Sequence, residues 1–79
     1  MDELVLDNGV PIEVTPTKAS MTIQNTMPSS DDFLMVSSHG DVDKKWMKVL
    51  SGGAVKFGEA TYFMQTGRAS WVFPVIESD

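Results

Sequence analysis

The amino-acid sequence predicts a mainly β, single-domain fold: a small sandwich or partly open barrel with two hairpins and one short helix. Three observations carry that expectation. From Ala54 to Phe73, strand formers come in three runs, Ala54–Phe57, Ala60–Gln65 and Ala69–Phe73, broken by Gly58 and by Thr66-Gly67-Arg68. Near the amino terminus, Asn8-Gly9 stands between Leu4-Val5-Leu6 and Val10-Pro11-Ile12-Glu13-Val14, and Asn-Gly favours the two positive φ angles of a type I′ turn. Finally, no apolar period of 3.6 residues lasts beyond about two helical turns.

Taken in order, the first hairpin pairs Asp7 with Val10, Leu6 with Pro11 and Val5 with Ile12. Pro11 lacks an N–H, so the second strand belongs at a sheet edge. Residues 15–30 are polar and contain Pro16 and Pro28; they read as an extended arm or loop. Within them Ser20-Met21-Thr22-Ile23-Gln24 alternates as a short strand does.

Ser29-Ser30-Asp31-Asp32 has the form of a helix start, with a serine cap and acids in the first turn, and Gly40 stands where such a helix would close. Phe33-Leu34-Met35-Val36 is nevertheless a continuous apolar run without helical period, and a buried strand is the favoured reading. The short helix falls on Asp43–Gly52, where Trp46, Val49 and Leu50 have helical spacing, Asp43 caps and Gly52 terminates. The last two runs form the second hairpin, with Gly67 in the left-handed position and Pro74 ending regular pairing. Trp46, Phe63, Trp71 and Phe73 are the large side chains from which a core is built. No internal repeat or low-complexity tract is visible.

A chain of 79 residues makes one domain with a thin stability margin. It has no cysteine, which excludes cysteine-ligated zinc, iron–sulfur clusters and thiol catalysis. Its single histidine cannot build a multi-histidine metal site. The expectation is that no cofactor is needed. No run approaches the ~20 apolar residues of a membrane span, and the start, Met1-Asp2-Glu3-Leu4, is acidic where a secretory signal is basic. The expected location is the cytoplasm or a cytoplasmically assembled particle, with no membrane partner.

The net charge of −5 is unevenly spread. Residues 1–43 carry eight acids against Lys18 alone, a net of −7, whereas residues 44–79 carry five bases against three acids, a net of +2. Between Lys44 and Gly58 there is no acid. Such a split either orients a partner or a second copy, or is neutralised within the fold.

Tests for chemistry fail one by one. Gly53-Ala54-Val55-Lys56-Phe57-Gly58 has the glycine spacing of a phosphate-binding loop, but Glu59-Ala60 follows where Lys and Ser/Thr are required. His39 lies near Ser37, Ser38 and Asp41 in sequence, yet a triad is a spatial geometry and no nucleophile elbow accompanies them; a polar turn explains the histidine better. Asp31, Asp32, Asp41 and Asp43 lack the EF-hand spacing and its closing glutamate. Lys44, Lys45, Lys48, Lys56 and Arg68 lie near aromatics, but the sequence pI of about 4.5 argues against a nucleic-acid surface.

The functional expectation is therefore a non-catalytic protein-binding or assembly module, of the kind used as accessory structural subunits in viral particles or larger complexes, acting as a homo-oligomer or within an assembly. The candidate partner-binding residues are Pro11 and Ile12 at the edge, Ile23 in the arm, and the acids Asp31, Asp32, Asp41 and Asp43. The alternative is an acidic inhibitor that imitates phosphates toward a nucleic-acid-processing enzyme.

Overall fold

The computed structural model describes all 79 residues, Met1–Asp79. It contains eight strands and no helix: β1 Glu3–Asp7, β2 Ile12–Val14, β3 Ser20–Gln24, β4 Phe33–Ser37, β5 Met47–Val49, β6 Ala54–Phe57, β7 Thr61–Thr66 and β8 Ser70–Ser78. They form two four-stranded antiparallel sheets, ordered β1-β8-β3-β6 and β2-β7-β4-β5. Alternate residues turn inward, so Leu6, Ile23, Leu34, Phe63 and Phe73 meet, fully buried, between the sheets. The mainly β sandwich read from the sequence is what the chain forms.

The pairing within it differs from the expected one. Asn8-Gly9 does make a turn, with the Val10 N–H donating to the Asp7 C=O, but it is not the expected type I′: only Gly9 takes a positive φ, 70°, and Asn8 does not. The flanking strands do not pair with each other, however: β1 pairs with β8 and β2 with β7, in opposite sheets. The second expected hairpin opens in the same way, because β7 and β8 also lie in different sheets. Gly67 takes a positive φ there, as expected. A turn signal marks where the chain reverses, but the partner of each strand is chosen by burial.

Residues 43–52 form no helix; they hold β5, whose Val49 points into the core opposite Leu34 while Lys48 points outward. With Lys44, Lys45 and Lys48 in so short a segment, a helix has too little apolar face to bury. The arm over residues 15–30 contains β3, an interior strand held between β8 and β6, with Met21 and Ile23 buried. By contrast Phe33–Ser37 is a strand, and β2, entered through Pro11, is an edge.

Pro74 lies inside β8 rather than at its end, at a change of partner: Ser70–Pro74 pair with β1 and Val75–Ser78 with β3. The Val75 N–H donates to the Asp2 C=O, so the nitrogen of Pro74 faces the other flank, where pairing with β3 has stopped.

The chain also repeats its own topology. Exchanging β1–β4 with β5–β8 converts the order β1-β8-β3-β6 into β5-β4-β7-β2, which is the second sheet read backwards. Register agrees in the pairs Ile12↔Phe63 and Val14↔Thr61, matched by Val55↔Ile23 and Phe57↔Met21. Each half begins with an edge segment that crosses from one sheet to the other at a glycine. In the first, Gly9 N–H donates to the C=O of buried Gln65, and the Gln65 amide donates to the Leu6 C=O at 3.2 Å. In the second, Gly52 N–H donates to the C=O of buried Asn25, and the Asn25 amide donates to the Val49 C=O at 2.8 Å. The sequence hides this repeat because its halves share an apolar pattern and a glycine but few identical residues.

Candidate interaction surfaces

Among the expected site residues, the structure scatters rather than gathers. Asp31 and Asp32 precede β4 while Asp41 and Asp43 follow it, so five strand residues, spanning roughly 13 Å, separate the two pairs. No three His, Asp or Glu residues come close enough to hold a metal ion.

Asp32 is not a surface acid. It is buried and accepts a hydrogen bond from Arg68 Nε at 2.8 Å, and a Cβ on Gly67 would collide with its Oδ1. Arg68 also lies over the Trp71 ring at 5.5 Å, and Trp71 Nε1 donates to Thr26 Oγ1 at 3.1 Å. This group ties the β3–β4 connection to the β7–β8 turn. Its partners are far apart in sequence, which is why Asp32 reads as a solvated acid when the sequence stands alone.

Ile23 is likewise removed from the surface, being fully buried. Its neighbours in sequence are polar because Ser20, Thr22 and Gln24 line the outer face while Met21 and Ile23 supply the core. Pro11 is half-buried, and Ile12 remains exposed on the β2 edge.

Both ring nitrogens of His39 are engaged by backbone groups of its own loop. Its Nδ1 accepts the Asp41 N–H at 2.9 Å and its Nε2 donates to the Lys45 C=O at 3.0 Å, which selects the neutral Nε2–H tautomer. Its ring meets Trp46 edge-on at 5.6 Å, and Trp46 Nε1 donates to the Asp41 C=O at 2.8 Å. Trp46 is thus buried beneath its own loop rather than in the central core, whereas Phe63 and Phe73 lie in the core and Trp71 packs against it.

The surface that sequence reading missed is the outer face of the β1-β8-β3-β6 sheet. Along β8, Val72, Pro74 and Ile76 point outward in succession, and Val5 lies directly opposite Val72. Val5, Val72 and Ile76 are 56%, 47% and 66% exposed, forming a continuous apolar row where a soluble sheet normally alternates to polar groups. A shallow depression of about 270 Å³ adjoins it, lined by Ser70, Trp71 and Val72. The signal was present in the sequence: Trp71-Val72-Phe73-Pro74-Val75-Ile76 is apolar at every position, which gives a strand two apolar faces.

The opposite outer face is differently made. Glu13 faces Tyr62 across β2 and β7, and its hydrogen bond and negative charge raise the phenol pKa above the ordinary value of 10.0. Met35 pairs with Met64, and Lys48 lies over the Phe33 ring at 4.7 Å. No helix in the structure is long and apolar enough to cross a membrane. Comparisons with protein-family models, with curated proteins and with solved structures return no match.

Proposed function

We propose that this chain is a non-catalytic assembly module that binds protein through the outer face of its β1-β8-β3-β6 sheet. The observation that carries the reading is the exposed row Val5, Val72, Pro74 and Ile76. These residues lie outside the core and leave much of their apolar surface to solvent, which a partner surface would cover. Pro11 and Ile12 at the β2 edge belong to the same class of contact. The alternative, an acidic inhibitor, rests on fewer groups, since Asp32 is paired with Arg68 and the other aspartates stand apart.

A photoreactive residue in place of Val72 tests the reading in the native cell or particle. One discrete protein adduct is expected, abolished by Ile76→Lys while the thermal melt of the isolated chain is unchanged. No adduct, or an adduct indifferent to Ile76→Lys, rejects it.

A further inference from the structure

We infer that the β1 edge of one copy pairs with the β6 edge of a second copy, so that chains associate head to tail. The inference rests on the assembly reading above and names the partner for a different surface, the sheet edges.

The free backbone groups are in place. Because the Val75 N–H donates to the Asp2 C=O, Glu3↔Pro74 and Val5↔Val72 are the non-hydrogen-bonded pairs of the β1–β8 ladder. The N–H and C=O of Glu3 and Val5 therefore point away from β8, toward the open edge. On β6 the Asn25 N–H donates to the Gly53 C=O, which makes Gln24↔Ala54 and Thr22↔Lys56 the corresponding pairs. The N–H and C=O of Ala54 and Lys56 point outward in the same way. An antiparallel register that sets Glu3 against Lys56 also sets Val5 against Ala54, and both pairs exchange backbone hydrogen bonds.

Direction is satisfied as well. Each sheet has four antiparallel strands, so its two edge strands run in opposite senses. A copy added edge to edge in the same orientation continues the antiparallel alternation. Both residues of the Glu3–Lys56 pair lie on the outer face, so their side chains meet on one side of the joined sheet.

Charge selects this contact over its rivals. Glu3 and Asp7 lie on β1 and Glu13 on β2, while β5 and β6 carry Lys48 and Lys56 and no acid. None of these five has an ion-pair partner in the chain, whose two ion pairs are Arg68–Asp32 and the amino terminus with Glu77. A two-fold β1–β1 contact centred on Val5 would place Glu3 against Asp7 of the other copy, a like-charge pairing that destabilises a sheet. Edge charges also guard against uncontrolled pairing; the acids of β1 disfavour its pairing with itself and favour the lysine-bearing β6 edge.

The test is charge exchange. Sedimentation velocity at low salt should show wild-type mass rising with concentration, and added salt should suppress the rise. Glu3→Lys/Glu13→Lys and Lys48→Glu/Lys56→Glu should each weaken association by about tenfold or more. Their equimolar mixture should recover it, since each then offers the edge that the other lacks. Val5→Pro, which removes an outward N–H that β8 does not use, should weaken it without restoring on mixing. Circular dichroism checks that every variant is folded. A wild type that stays monomeric at millimolar concentration, or association unaffected by the exchange, overturns the inference. Cross-linking from Val72 is read separately and can persist in either case.

Discussion

The two edge segments, β1–β2 and β5–β6, are built alike and finished differently. Both cross between sheets at a glycine of positive φ, Gly9 at 70° and Gly52 at 86°. Both close the crossing with a short turn, from Val10 N–H to Asp7 C=O and from Gly53 N–H to Leu50 C=O. Both are pinned by a buried amide side chain. Yet the first is acidic and enters β2 through a proline, whereas the second carries only lysine on its strands and enters β6 through a second glycine. The shared features are those that the crossing requires: a left-handed backbone position, and buried carbonyls that need donors. The differing features lie on the outside, where the fold makes no demand and a partner can.

If the two crossings are equivalent, their amides should matter equally, and this is the largest effect expected. Asn25→Leu leaves the Met27 N–H without a partner and takes the second donor from the Val49 C=O. Gln65→Met leaves the Arg68 C=O and the Arg68 N–H without partners and takes the second donor from the Leu6 C=O. Each should cost about 2–4 kcal/mol, because an unpaired buried group bears its whole desolvation penalty. That is a large part of a small domain's stability. Urea unfolding measures both, and a near-neutral result at either position breaks the comparison.

A sharper and smaller effect comes from the glycines. A Cβ at Gly9 or Gly52 would meet nothing within 4 Å, so alanine there costs only the left-handed backbone conformation, about 1 kcal/mol. Equal shifts in the urea midpoint are expected for Gly9→Ala and Gly52→Ala. A clearly larger loss at one would show that its crossing is more tightly held than the hydrogen bonds indicate.

The same comparison shows what the sequence conveys and where it stops. Asn8-Gly9 is legible as a turn because its signal is local, and Pro11 is legible as an edge because a missing donor has one consequence in a sheet. The strand partners are not legible, since Leu6 meets Trp71 and Ile12 meets Phe63 across most of the chain. At Trp46–Leu50 three apolar residues fit a helical period and a strand too short to show its own, and the structure settles on the strand. Of the candidate site, the edge position of Pro11 and Ile12 was readable. Ile23 and Asp32 were not, because the residues that bury them lie far away in sequence. The outer row on β8 was written in an unbroken apolar run, whose outward half only the sheet order reveals.

The smallest effect expected lies where the two halves end differently. After β4 the chain turns into the loop clasped by His39; at the matching place β8 runs on to Ser78 and holds Glu77 beside the β2–β3 connection. There Thr17 Oγ1 donates to Glu77 Oε1 at 2.6 Å, and this hydrogen bond is the main cause that lowers the Glu77 pKa below its ordinary value of 4.5. A carboxyl whose folded pKa is depressed stabilises the fold above its unfolded pKa, and that stabilisation is lost as pH falls through the folded value. Thr17→Val should return Glu77 toward the ordinary carboxylate range, seen directly by carbon-13 titration of its side chain. Wild type should melt above the variant at neutral pH, and the gap should close as pH falls through the ordinary and then the lowered value, since the other carboxylates are common to both. A gap that persists unchanged in acid would mean that Thr17 acts through packing and that β8 holds its extra length without the Glu77 latch.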